Sequence, residues 1–145
     1  MSLYLDSAYI AKCYLNEPDS EPVRALVRGK PDLTSSAWCR AELACTFLRH
    51  VRERALTQRQ ARELHDLFLE DVRSGAWTLL PVSASLFERV ETRLKRLRRR
   101  EVFLRAGDAM HLASAADAGF REIWTNDRHL VAAARLFGLR GRSVG

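Results

Sequence analysis

The sequence predicts an α/β fold whose mostly parallel sheet is covered by helices on both faces. Three observations lead there: short apolar runs alternate with longer stretches of helical period, cap and turn residues separate them, and a helix stands between nearly every pair of strands. Strands joined through helices return in parallel by right-handed crossovers.

Leu3 to Asp6 reads as the first strand, followed by a helix over Ser7 to Leu15 that Asn16-Glu17-Pro18 ends, since proline disfavours helix in the residue before it. Ser20 is expected to cap a short helix to about Arg28, closed by Gly29-Lys30-Pro31, and Asp32 to Thr34 to form a brief strand. Ala37 to Arg54 places Leu43, Phe47, Leu48 and Val51 on one helical face. Thr57 with Gln60 forms a capping box for a helix ending at Gly75. Next come a strand over Trp77 to Val82, a helix over Ser83 to Arg100, a helix over Ala106 to Ala118 and a strand over Glu122 to Thr125. Asp127 to Phe137 is the last helix, stopped by Gly138, with Arg142 to Val144 as an edge strand.

No repeat, low-complexity segment or linker interrupts this order, and 145 residues is the common size of one domain. A single domain over residues 1–145 is therefore expected. No apolar run approaches the roughly 20 residues of a membrane span, and the start lacks the basic segment of a signal peptide, so a cytoplasmic location without membrane contact is expected. Cys13, Cys39 and Cys45 are odd in number and lack the two-residue spacing of structural zinc sites; among apolar neighbours they read as reduced, buried thiols. Lys and Arg total 24 against 18 acids, a net charge of +6 that favours a polyanionic partner such as nucleic acid.

In open parallel sheets, ligands bind beyond the carboxyl ends of the strands. Asp6 ends the first strand and Asp127 follows the strand at Glu122 to Thr125, so both are expected at that edge. Glu42 and Asp108 stand about one turn or less into helices with mostly apolar or small neighbours. Each acid has an ordinary alternative: Asp6, Asp108 and Asp127 as helix caps, Glu42 as half of an internal salt bridge. Their shared position favours one site. Two carboxylates about 4 Å apart repel by about 4 kcal/mol at an intermediate dielectric, so a gathering of four requires cations or protons. All-oxygen ligation suits Mg²⁺ or Mn²⁺, and no paired histidines or cysteines point to zinc.

The stretches Leu3-Tyr4-Leu5-Asp6-Ser7-Ala8-Tyr9, Ala41-Glu42-Leu43, Gly107-Asp108-Ala109-Met110-His111-Leu112-Ala113 and Thr125-Asn126-Asp127-Arg128-His129-Leu130 resemble, in order and spacing, the PIN-domain family, in particular the VapC-type toxins of toxin–antitoxin pairs. The resemblance implies a three-layer α/β/α sandwich, Mg²⁺- or Mn²⁺-dependent endoribonuclease activity, a homodimer and a small cognate antitoxin. Carried over residue by residue, Asp6, Glu42, Asp108 and Asp127 are the metal-binding, catalytic acids. Ser7, Thr125 and Asn126 are polar neighbours that orient acids, waters or phosphate. Ala8 departs from the family, which often has a polar residue there.

Arg93, Lys95, Arg96, Arg98, Arg99 and Arg100 form the densest basic run; it is either a solvated helix face or an RNA contact, with Arg96, Arg99 and Arg100 the residues for the second case. His111 reads as a satisfied, partly buried histidine, and Trp38, Trp77 and Trp124 as packing residues. A non-catalytic PIN-like module binding RNA or protein is the competing function. A phosphatase on a similar sheet is disfavoured, because Ala8 stands where an aspartate nucleophile's usual partner acid would be, and no Gly-rich phosphate loop supports a nucleotide-binding fold.

Overall fold

A computed structural model describes residues 2–98 and 102–145. Its sheet is built from β1 (Leu3–Tyr4), β2 (Leu33–Ser36) and β3 (Trp77–Leu80), all parallel, and from β4 (Glu122–Trp124) paired in parallel with β5 (Arg140–Arg142). A parallel bridge between Leu5 and Trp124 joins the two parts, and the Asp6 N–H donates to the Trp124 carbonyl at 3.2 Å. The strand order is thus β3-β2-β1-β4-β5. It reverses direction between β1 and β4, and Asp6 and Asp127 leave the sheet on either side of that point.

Side chains of a strand alternate between faces, and here both faces are covered. Leu3 and Leu5 pack with Val23, Leu43, Phe47, Phe68 and Trp77, beneath α1 (Ser7–Tyr14), α2 (Ser20–Val27), α3 (Cys39–Arg52) and α4 (Gln58–Arg73). Tyr4 points the other way, into a core formed with α5 (Ala84–Arg96), α6 (Ala106–Asp117) and α7 (Arg128–Ala134). The three layers and the parallel sheet agree with the α/β/α expectation. Helix α6 has almost no charge beyond its first turn, and Ala109 through Ala115 are all buried, as expected of a helix enclosed on all sides.

Several local expectations change. The capping box at Thr57 and Gln60 is present, but Ser20 does not cap α2; its hydroxyl donates to the Leu15 carbonyl and accepts from the Glu17 N–H, pinning the preceding turn. The second strand extends to Ser36. Helix α5 stops at Arg96, with Leu97 already extended, and the segment containing Arg99 and Arg100 lies outside the described residues. The edge strand is Arg140–Arg142 rather than Arg142 to Val144. A Cβ on Gly141 would stand 2.6 Å from the Val131 Cα, so only glycine lets this strand lie against α7. Cys39 is buried, Cys13 is half-buried and Cys45 is exposed on α3, which corrects the uniform reading of the thiols. Burial pushes the Cys39 thiol up to about 12.

Candidate metal centre

Asp6 leaves β1 and caps α1: one carboxylate oxygen accepts the Tyr9 N–H at 2.9 Å, the other the Thr125 hydroxyl at 2.5 Å. The side chain is almost fully buried. Burial raises its pKa, opposed by the Thr125 hydrogen bond, the His111 ring and the Tyr9 N–H. The two hydrogen bonds favour the anion, and a cation brought beside it would favour it further.

Thr125 is fully buried at the end of β4, and its single hydroxyl serves two acids. It donates to Asp6 and accepts the Asp127 N–H at 3.0 Å, tying the loop after β4 to the loop after β1. Asp127 caps α7 through Oδ1, which accepts from the N–H groups of His129 and Leu130; Oδ2 meets Arg105 Nη2 at 3.0 Å. The same guanidinium donates from Nε to Asp108 Oδ2 at 3.2 Å. The hydrogen bond and charge of Asp108, then the charges of Asp127 and Glu42, hold the Arg105 pKa above its usual value. Asp108 itself caps nothing, which removes the ordinary explanation for an acid in an otherwise buried helix.

Glu42 projects from the first turn of α3 toward the start of α6. A Cβ on Gly107 would stand 3.1 Å from Glu42 Oε2, so the absent side chain lets Glu42 lie against the start of α6. Its partner is no arginine but His111, whose Nε2 lies 2.7 Å from Glu42 Oε1. An ionised carboxylate only accepts, so Nε2 carries the proton toward it, and Nδ1 lies 2.9 Å from the Tyr4 hydroxyl oxygen. His111 is fully rather than partly buried and is satisfied on both nitrogens.

Three of the acids are linked as Asp6–Thr125–Asp127–Arg105–Asp108, and Glu42 lies against Gly107 at the start of α6. Among the described residues no three acid, histidine or cysteine side chains already close on a single point. Mg²⁺ is commonly held by one or two carboxylates and its own waters, so the all-oxygen donor set suits it without a full cage.

A groove of about 500 Å³ opens beside Glu42, lined by Ser7, Lys12, Trp38, Cys45, Arg49 and Arg105 among others. The Trp38 indole N–H is buried there without a hydrogen-bond partner. Arg96 is exposed at the end of α5 and does not line this groove. The basic groove residues instead come from α1, α3 and the start of α6. Composition hid them, because they are isolated in sequence; the position of Arg105 three residues before Asp108 was the one available signal. Asn126 bonds to the Tyr9 hydroxyl, Asp19 and Ser143, so it fastens the loop after β4 to α1, α2 and the C-terminal segment, and makes no bond to the acids.

A family model described as PIN domain matches residues 3–136. The chain belongs to the PIN-domain family. No curated protein sequence matches it. Among solved structures, this PIN domain is similar to a chain of FitAB bound to an IR36 DNA fragment, with a TM-score of 0.73, 17% identity and coverage of 99% of this chain and 95% of that one. It is also similar to a chain of VapBC2 from Rickettsia felis bound to a promoter DNA fragment, with a TM-score of 0.69, 16% identity and coverage of 99% and 98%. A third similar structure is VapC20 of Mycobacterium tuberculosis, a sarcin-ricin loop cleaving toxin, with a TM-score of 0.67, 20% identity and coverage of 90% and 94%. At these identities the likeness concerns the fold.

Proposed function

We propose that this PIN domain is a divalent-metal-dependent endoribonuclease and the toxin of a toxin–antitoxin pair. The observation that carries the reading is the chain of contacts from Asp6 through Thr125 to Asp127 and through Arg105 to Asp108, beside the point where the strand order reverses, with Glu42 against the start of α6. Concentrating four acids costs stability unless a cation is part of the design. Mg²⁺ or Mn²⁺ would be held by these residues, and it would supply water activation and stabilisation of the leaving oxygen in phosphodiester hydrolysis. Thr125 fixes the Asp6 carboxylate, His111 fixes Glu42, and the groove with Lys12, Arg49 and Arg105 attracts the phosphate backbone.

Relatives of the same fold include a toxin named for cleaving the sarcin-ricin loop and two assemblies, VapBC2 and FitAB, which support RNA as substrate and a small antitoxin as partner. A homodimer in the cytoplasm completes the reading. One observation favours the competing non-catalytic module: Asp6, Glu42, Asp108 and Asp127 all have protein partners already.

The deciding experiment is cleavage of total RNA with Mg²⁺ or Mn²⁺, comparing the native protein with Asp6→Asn and Asp108→Asn. The expected result is a loss of at least about 10²–10³-fold in rate with native circular dichroism retained. Undiminished cleavage by clean preparations of the folded variants would falsify the assignment. Calorimetry showing no Mn²⁺ binding that depends on these acids would favour the binding module.

A further inference from the structure

Among the described residues, Arg105 is the one cation that touches two of the four acids. Its Nε lies 3.2 Å from Asp108 Oδ2 and its Nη2 3.0 Å from Asp127 Oδ2. Those two acids come from different elements, α6 and the loop after β4, so the guanidinium spans the gap between them. Its own side chain is 62% exposed, whereas Asp108 and Asp127 are 13% and 26% exposed. Ion pairs with one partner this exposed are weak, and solvent and salt readily loosen them. The Arg105 guanidinium also lies 5.9 Å from the Phe103 ring, a second resting contact outside the acid cluster, and the residue lines the groove beside Glu42.

We propose that Arg105 is an exchangeable counter-ion: it neutralises Asp108 and Asp127 in the metal-free protein, yields them to the divalent ion, and then contacts substrate phosphate in the groove. The inference rests on the reading that the acids hold a metal ion. A compact divalent charge attracts both carboxylates more strongly than a spread single charge, and what it must displace is a pair of weak, exposed bonds. Exchange keeps the acids neutralised at every stage. It also delivers a planar fork suited to a phosphate to the mouth of the site when the ion is in place.

The test is Mn²⁺ titration by calorimetry and by electron paramagnetic resonance at fixed ionic strength, on the native protein, Arg105→Gln, Arg49→Gln and Asp108→Asn. Arg49 lines the same groove and has no ion pair among the described residues, so its removal reports the general loss of positive field. Arg105→Gln is expected to bind Mn²⁺ roughly threefold to tenfold more tightly, with Arg49→Gln changing affinity by less than about twofold. At saturating Mn²⁺, Arg105→Gln is expected to raise KM for a short RNA severalfold while kcat stays within about threefold. Equal gains in both arginine variants, or unchanged or weaker binding in Arg105→Gln, would overturn exchange. An unchanged KM would overturn the phosphate contact. If instead no variant and no native protein binds Mn²⁺ through Asp108, the nuclease reading fails, and this inference with it.

Discussion

The two sides of the acid cluster are held by different physics. Asp6 is buried, its two oxygens fixed by the Tyr9 N–H and the Thr125 hydroxyl, whereas Asp108 and Asp127 stand nearer solvent and share the exposed guanidinium of Arg105. On the buried side geometry is set before any ligand arrives, because leaving a buried carboxylate unbonded is costly. On the open side the ion pairs are partly solvated and therefore weaker. Under the proposed metal-binding role, this division would let one wall place an ion while the other admits it.

The comparison is broken most directly at Thr125. Thr125→Val keeps the volume and removes the hydroxyl that joins Asp6 to the Asp127 N–H. The expected outcome is a roughly 10–100-fold loss of Mn²⁺ affinity and about 1–3 kcal/mol lower stability, read by calorimetry and urea unfolding. The corresponding change on the open side, Asp127→Asn, keeps an oxygen to cap α7 and loses only the exposed pair with Arg105. Its stability is expected to change by less than about 1 kcal/mol, so equal destabilisation by the two variants would erase the contrast.

A smaller effect is expected at Gly107. The Cβ of Gly107→Ala would press on Glu42 Oε2 and Trp38 Nε1 at 3.1 Å, so a small shift of the glutamate against its bond to His111 would relieve it. Cleavage is expected to fall by about threefold to tenfold with stability changed by less than about 1 kcal/mol, measured as kcat and as the thermal midpoint. The mildest probe is chemical. Cys45 is exposed in the groove, while burial keeps Cys39 protonated, its pKa pushed up to about 12. At pH 8 a maleimide should modify Cys45 and spare Cys39, raising KM for RNA and leaving Mn²⁺ affinity unaltered. Labelling of Cys39 at a comparable rate would show that the buried side opens as readily as the rim.

Much of the fold was legible because its signals are local. Alternation around Leu3 to Leu5, the capping box at Thr57 and Gln60 and the uncharged run after Asp108 each declare an element within a few residues. The edge strand was misplaced for the opposite reason. Arg140-Gly141-Arg142 has no apolar alternation and its glycine reads as a turn, yet that glycine is there to let the strand approach Val131. The acids showed themselves as charges out of place among apolar neighbours. Of their partners, Thr125 entered only through the family resemblance, and His111 looks like an ordinary satisfied histidine until the helices bring it to Glu42.

Sequence alone determined the order of elements and the carboxyl-end location of Asp6 and Asp127, because periodicity, caps and residue type are properties of short segments. Tertiary structure decided which basic residues face the acids and which acids are rigid. Arg105, Lys12 and Arg49 meet in one groove only after three separate elements pack, and the burial that distinguishes Asp6 from Asp127 is a property of the whole core rather than of either residue.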